Sequence, residues 1–195
     1  VWKAPLQDTG SAVELFAQAQ HLPDSTVFWW DMLSLNQHNL TGDFGGNSPN
    51  QVFTSVHEEC RGKIVCCTPG LGTFRRGWVL HGLFDSTRCG KGVYLGCTSG
   101  VLACNMPFRD GSWEFGNFDR EVAQECFDVK VEDAATSMPH DLDIILQDIA
   151  GSSDPSVRQT KFAQLDNRLA RWTSGTLLRA AAAENASDRI SLICK

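Results

Sequence analysis

Strongly basic segments and long apolar runs are both missing from this sequence of 195 residues. Lysine and arginine together number 17 against 23 aspartate and glutamate residues, which gives a net charge of −6. An acidic chain without a basic run argues against nucleic-acid binding and against docking on anionic lipid. No stretch approaches the roughly 20 apolar residues that span a bilayer, so we predict no transmembrane segment.

Several signatures of catalysis and cofactor binding are also missing. There is no G-x-S-x-G nucleophile elbow, and the glycine-rich phrases at residues 42–46 and 90–92 have the form of neither a phosphate loop nor a dinucleotide fingerprint. The eight cysteines include no C-x-x-C pair, and Cys66 and Cys67 are adjacent on a predicted strand, where they cannot jointly hold a tetrahedral metal. We therefore predict no metal and no cofactor. The cysteines are best interpreted as buried reduced thiols, with a zinc site or disulfides as alternatives.

The sequence does contain enough apolar material for a core, with 42% hydrophobic residues, and its length suits one domain with an appended helical segment. Apolar residues at helical spacing, with capping residues beside them, predict helices over residues 9–20, 49–60, 73–86, 140–150 and 155–186. Short runs of β-forming residues predict strands over residues 26–35, 62–68, 92–98 and 125–132. Residues 100–118 are predicted to be irregular.

This alternation of strands and helices is typical of a parallel sheet with helical crossovers. We predict an α/β fold, a flavodoxin-like three-layer domain over residues 1–135 with a mainly parallel sheet of about five strands, the first at residues 1–2. C-terminal helices over residues 136–195 are expected to form an extension packed on that domain.

Two blocks of residues carry a resemblance to a known family. Residues 28–38, FWWDMLSLNQH, resemble the W-x-D-x(4)-N-Q signature of heterokaryon-incompatibility (HET) domains. They are closer still to the FWxDxxxxNQH pattern of a group of algal and protist proteins within the Toll/interleukin-receptor-like (TIR-like) superfamily. Residues 64–83, IVCCTPGLGTFRRGWVLHGL, are similar to a strand and helix of that group, and Arg76, Trp78 and Leu80 fall in register. A third, shorter similarity lies in the last helix, at Phe162, Leu165, Asn167 and Trp172.

The resemblance implies a TIR-like fold, and it also bears on activity. Catalytic TIR domains cleave NAD with a glutamate in the corresponding helix, which engages the ribose and stabilises developing positive charge. Aligning Trp78 and Leu80 places Gly82 at that position, and the nearest acid downstream is Asp85. We therefore expect a non-catalytic TIR/HET-like protein-interaction or assembly subunit. The alternative is an NAD-hydrolysing or nucleotide-binding enzyme that uses a rearranged acid, with Asp31 and Asp85 as weak catalytic candidates.

Open α/β sheets bind ligands beyond the carboxyl ends of their strands, so polar residues after a predicted strand are candidates for a crevice. The alternative for each is a hydrogen bond to nearby backbone. The candidate crevice residues are Trp29, Asp31, Asn36, Gln37, His38, Arg76 and Trp78. His57 and Glu58, on the second predicted helix, are interpreted as solvated side chains, since His57 has no metal-ligating partner four residues on.

The last predicted helix has an amphipathic stripe. It packs on the parent domain or is offered to a protein partner, and in the second case the contact residues are Phe162, Leu165, Leu169 and Trp172. TIR-like domains commonly self-associate, so the resemblance implies protein partners or a place in a larger complex. We expect an intracellular protein, cytoplasmic by default, with an organelle after removal of a presequence as the alternative.

Overall fold

Ten helices and strands make up the part of the chain that a computed structural model describes, residues 5–30 and 49–183. The elements are α1 (Leu6–Ala19), α2 (Pro49–Glu59), β1 (Gly62–Cys66), α3 (Gly77–Arg88), β2 (Gly92–Cys97), β3 (Gly100–Ala103), β4 (Glu114–Gly116), α4 (Arg120–Phe127), α5 (Pro139–Ala150) and α6 (Pro155–Ala183). Short 3-10 turns lie at Thr73–Arg75 and Val131–Asp133. Within these residues, no helix is both long and apolar enough to cross a bilayer.

The four strands form one open sheet in the order β1-β2-β3-β4. β1 pairs with β2 in parallel, starting from Gly62 beside Gly92, and α3 provides the crossover between them. β2, β3 and β4 then run antiparallel to one another. The mixed α/β class is therefore confirmed, whereas a mainly parallel sheet of about five strands is not. In the described residues one strand pair is parallel and two are antiparallel.

Helices cover both faces of this sheet. On one face, Tyr94, Val101 and Ala103 pack with Ala19 of α1 and with Phe108. On the other face, inward residues of β1 to β3 join α3, α4, α5 and α6 in the larger core. Every residue of β2 is buried, as expected for a central strand that is covered on both faces. The larger core contains residues of α5 and α6, so these helices share their packing with the sheet.

Three predicted segments differ from the structure. Residues 26–30 form no strand, and the rest of that predicted strand lies outside the described residues. Residues 100–118, predicted to be irregular, contain β3 and β4, which are too short to show a period in sequence. Residues 125–132, predicted as a strand, instead contain the end of α4 and a 3-10 turn. Their apolar residues at every second position fit a strand. A helix nevertheless starts ahead of them at Asp119, whose carboxylate accepts from the backbone N–H groups of Glu121 and Val122.

The predicted helices are confirmed with small shifts of their bounds, and residues 184–186 of the last predicted helix lie outside the described residues. α1 begins at Leu6, after Pro5, earlier than the predicted start at residue 9. Gly151 ends α5 with a left-handed φ of 63°, and the Asp154 carboxylate accepts from two backbone N–H groups at the start of α6. These are the two positions at which the sequence predicts a stop and a start.

Candidate functional site

A cluster of charged and polar side chains lies where α2, β1, α3 and α5 meet. We call it the Asp85 cluster, and its members are Thr54, His57, Lys63, His81, Asp85, Arg88 and Asp148. α3 supplies its centre, because His81 and Asp85 are four residues apart and therefore share one helix face. Both side chains are only 1% exposed, so the cluster is an internal feature with a polar interior.

Asp85 is held by donors from three sides. Its Oδ2 accepts from the Thr54 hydroxyl at 2.9 Å and from His57 Nδ1 at 3.1 Å. Its Oδ1 accepts from Arg88, at 3.1 Å from the terminal nitrogen. Burial acts to raise the pKa of Asp85, but hydrogen bonds from His57, Thr54 and Arg88 and the proximity of His81 hold it well below its usual range. The carboxyl group is therefore ionised and already engaged.

The contacts of His57 fix its tautomer. Nδ1 faces the Asp85 carboxylate and must donate, while Nε2 lies 3.3 Å from Nζ of Lys63 and must accept. Burial lowers the pKa of His57, and Lys63 adds to that effect against the opposing influence of Asp85. His57 is thus a neutral, largely buried link between Lys63 and Asp85, which corrects its interpretation as a solvated side chain.

Lys63 occupies the space beside Gly82. A Cβ atom built on Gly82 would overlap Nζ of Lys63 and would stand 3.2 Å from Cε1 of His57. Position 82, which the family resemblance aligns with a catalytic glutamate, therefore faces an ammonium group on β1. Glycine is the residue that leaves room for it.

His81 connects the cluster to α5. Its Nε2 lies 2.8 Å from Oδ2 of Asp148, whose side chain is 45% exposed. Its Nδ1 is buried, has no hydrogen-bond partner among the described residues, and lies 3.9 Å from Oδ2 of Asp85. An open depression of about 460 Å³ leads to this region, lined by Gln51, Thr54, Ser55, Phe84, Arg88 and Asp148.

Aromatic rings extend from the cluster and include two predicted crevice residues. The Trp78 ring lies 5.8 Å from the His81 ring and 4.8 Å from Phe53, and Phe53 lies 5.6 Å from Trp29. Trp29 and Trp78 are thus joined through Phe53. Arg76 lies at the N-terminus of α3 and forms an isolated bridge with Ala135. Asp31, Asn36, Gln37 and His38 lie outside the described residues.

The predicted partner stripe on α6 is directed inward. Phe162, Leu165 and Leu169 are each 5% exposed and belong to the larger core, and Trp172 packs against it. This is the packing alternative for the stripe, in which the helix covers its own domain.

Sequence reasoning missed Thr54, Lys63 and Asp148 as members of the Asp85 cluster, in which Thr54 contacts Asp85, Lys63 contacts His57 and Asp148 contacts His81. Their sequence separations from Asp85 range from 22 to 63 residues, so no local pattern links them. One signal was available: His81 and Asp85 stand four residues apart on the apolar face of α3, beside Leu80 and Leu83. A histidine and an acid at that spacing among apolar neighbours indicate a buried polar pair.

Comparison of the chain with models of protein families, with curated proteins and with solved structures finds no match. The sequence motifs and the geometry of the Asp85 cluster are therefore what bears on function.

Proposed function

We propose that this domain is a non-catalytic TIR/HET-like subunit that works by association with other proteins, and that it does not cleave NAD. The observation that carries the proposal is the Lys63 ammonium group packed over Gly82. NAD cleavage of the TIR kind requires a negative charge at that position to stabilise an oxocarbenium-like transition state. A positively charged lysine head group at that position would instead repel the positive charge that develops in the transition state.

Asp85, the nearest acid, does not replace the missing glutamate. Its carboxylate is buried and accepts from Thr54, His57 and Arg88. To bind a ribose it would have to break these hydrogen bonds, and breaking one side of a buried charged pair costs about 3–5 kcal/mol. This supports a structural role for Asp85 and weakens the alternative of an enzyme with a rearranged acid.

The fold part of the proposal is a flavodoxin-like, three-layer arrangement. The parallel β1–α3–β2 unit and the helices on both faces of the sheet support it. The antiparallel strands β3 and β4 are an addition at one side of that unit. The predicted strand that carries Trp29 and Asp31, and the division into a domain at 1–135 and an extension at 136–195, remain predictions.

Two measurements on the purified chain test the proposal. In the first, the protein is incubated with NAD and nicotinamide release is followed; we expect none above the rate without protein. In the second, light scattering across a concentration series is expected to show the mass rising with concentration. Turnover that Asp85→Ala or Asp31→Ala abolishes, and that Asp143→Asn on the exposed side of α5 leaves unchanged, would overturn the proposal in favour of an NAD-hydrolysing enzyme.

A further inference from the structure

Two half-buried cysteines, Cys60 and Cys89, lie at the C-terminal ends of α2 and α3, outside both cores of the molecule. Each continues the hydrogen-bond pattern of its helix. The backbone N–H of Cys60 donates to the carbonyl of Val56 at 3.0 Å, and that of Cys89 donates to the carbonyl of Asp85 at 2.8 Å. Both thiols therefore project from a helix surface, and neighbouring contacts show from which face.

Both thiols lie on the faces through which α2 and α3 contact each other. The hydrogen bond between His57 and Asp85 joins the two helices. Cys60 comes three residues after His57, and Cys89 comes four residues after Asp85. Residues three and four apart are neighbours on a helix surface, so each cysteine lies one turn beyond the His57–Asp85 contact on the same face.

The two helices run in the same direction, so one further turn along each brings the cysteines toward each other. Phe53 packs on Trp78 near the N-terminal ends, and the side chain of Lys91 donates to the carbonyl of Glu58 just beyond the C-terminal ends. Each helix then leads into a strand, and those strands, β1 and β2, pair in parallel.

The spacing of the two chains at this point suits a disulfide. Packed helices have axes about 8–10 Å apart, whereas paired strands lie about 4.7–4.9 Å apart. Cys60 comes two residues before the pairing of Gly62 with Gly92, and Cys89 comes three residues before it, so the chains converge there from the first spacing to the second. The commonest separation of Cα atoms in a disulfide, about 5.5–6 Å, lies between the two.

We propose that Cys60 and Cys89 form a reversible disulfide when the chain meets a low-molecular-weight disulfide, and that this bridge ties α2 to α3. The thiolate of one cysteine attacks the small disulfide, forms a mixed disulfide and releases one small thiol. The other cysteine then attacks the mixed disulfide, which forms the bond between the two cysteines and releases the second small thiol. The two protein thiols are oxidised, the small disulfide is reduced, and the two protons lost by the cysteines pass to the departing thiolates.

The bridge would act on a helix that lies at the periphery. Residues 51–59 of α2 are all half-buried or exposed, and none of them belongs to either core. Phe53, Thr54 and His57 hold α2 on α3, so a covalent bond beyond them would limit the opening of α2 over the Asp85 cluster. The proposal does not depend on whether the domain cleaves NAD.

Glutathione in its oxidised and reduced forms is the probe. The native chain is incubated at neutral pH with increasing ratios of oxidised to reduced glutathione, quenched with acid, alkylated and mapped by mass spectrometry. We expect a peptide pair from one chain joined through Cys60 and Cys89, which dithiothreitol separates again. Hydrogen exchange of the α2 backbone amides should slow by about tenfold or more in the bridged chain, because the bridge restricts local opening.

Cys60→Ser and Cys89→Ser should each leave the remaining cysteine of the pair as a mixed disulfide with glutathione. Cys66→Ser, at a half-buried cysteine on β1, is the matched control and should leave the yield of the bridge unchanged. The proposal is overturned if Cys60 and Cys89 carry only glutathione, if either is joined to a different cysteine, if the bridge forms only in denaturant, or if the bridge leaves exchange in α2 unchanged.

Discussion

Lys63 lies on β1 and Gly82 on the neighbouring helix α3. The ammonium group of Lys63 fills the space that a side chain at position 82 would need. Glycine inside a helix normally lowers stability by about 0.5–1 kcal/mol relative to alanine. Its presence in the middle of α3 is therefore best explained by this close approach.

Replacing Gly82 tests that explanation. Gly82→Ala should lower the free energy of unfolding by about 1 kcal/mol, because the new methyl group displaces the Lys63 ammonium and outweighs the gain in helix propensity. In a Lys63→Ala background the same change should instead stabilise the chain by about 0.5–1 kcal/mol, because only the gain in helix propensity remains. Urea unfolding of the four proteins measures this coupling.

Gly10→Ala in α1 is the matched control, because a Cβ there meets nothing within 4 Å. We expect it to stabilise the chain by about 0.5–1 kcal/mol in both backgrounds. An equal cost of Gly82→Ala with and without Lys63 would show that Lys63 is not the reason for the glycine.

His57 makes stability depend on pH. Burial and Lys63 lower its pKa below 6.5 in the folded chain, so just below pH 6.5 the unfolded chain binds more protons than the folded one. The free energy of unfolding should therefore fall as the pH drops from about 6.5 toward the folded pKa. Urea unfolding at pH 7.5, 6.5 and 5.5 measures the slope.

His57→Asn keeps an amide donor for Asp85 but does not titrate, so it should flatten the slope between pH 7.5 and 5.5. His140→Asn, at an exposed histidine on α5, should leave the slope unchanged. If both variants keep the wild-type slope, His57 is not its source.

At the scale of elements, α4 depends on a side-chain cap. The Asp119 carboxylate accepts from the backbone N–H of Glu121 at 2.8 Å and of Val122 at 3.1 Å. Asp119→Ala should therefore lower the free energy of unfolding by about 1 kcal/mol. Asp128→Ala, beyond the other end of the same helix, should cause no loss, since a carboxylate is unfavourable near a helix C-terminus. Equal effects in thermal melts would argue against the cap.

Most helices were predictable from the sequence, and the elements built from short segments were not. Pro139, Gly151 and Asp154 each carry a local signal for where a helix starts or stops, and the structure uses all three. β3 and β4 have four and three residues, which is too few to show a period. Residues 125–132 have apolar residues at every second position, which fits a strand, and the cap that starts a helix instead, Asp119, lies outside that window.

The candidate site was predictable only in part, because most of its contacts join helices that are distant in sequence. Trp29 and Trp78 were identified from motifs, and the structure joins them through Phe53. The hydrogen bonds from Thr54 and His57 to Asp85 and from His81 to Asp148 depend on how α2, α3 and α5 pack. Packing between helices that are distant in sequence leaves no signature in a single chain.

At the scale of the whole molecule, the larger core contains four cysteines, all free: Cys67, Cys97, Cys104 and Cys126. Burial raises the pKa of the Cys66 thiol to about 12, and burial also raises the pKa of Cys67 and Cys126 well above the ordinary range. Since the thiolate is the reactive form, these thiols are inert while the chain is folded.

Alkylation should therefore report on global unfolding. With iodoacetamide at neutral pH, the half-buried Cys60 and Cys89 should be modified in the native protein, whereas Cys67 and Cys126 should react only in denaturant. Peptide mapping by mass spectrometry distinguishes the sites. Labelling of Cys67 as fast as Cys60 would show that the core opens locally under native conditions.

The hairpin formed by β2 and β3 also has a consequence for the order of folding. Cys97 pairs with Gly100, so only two residues separate these strands, whereas the parallel partners Gly62 and Gly92 enclose a long crossover. Closing the short loop loses less chain entropy and is faster. We expect β2 and β3 to form the early nucleus, on which β1 docks late. Pulse-labelled hydrogen exchange should then protect the amides of β3 before those of β1, and the opposite order would mean that the crossover helix guides folding.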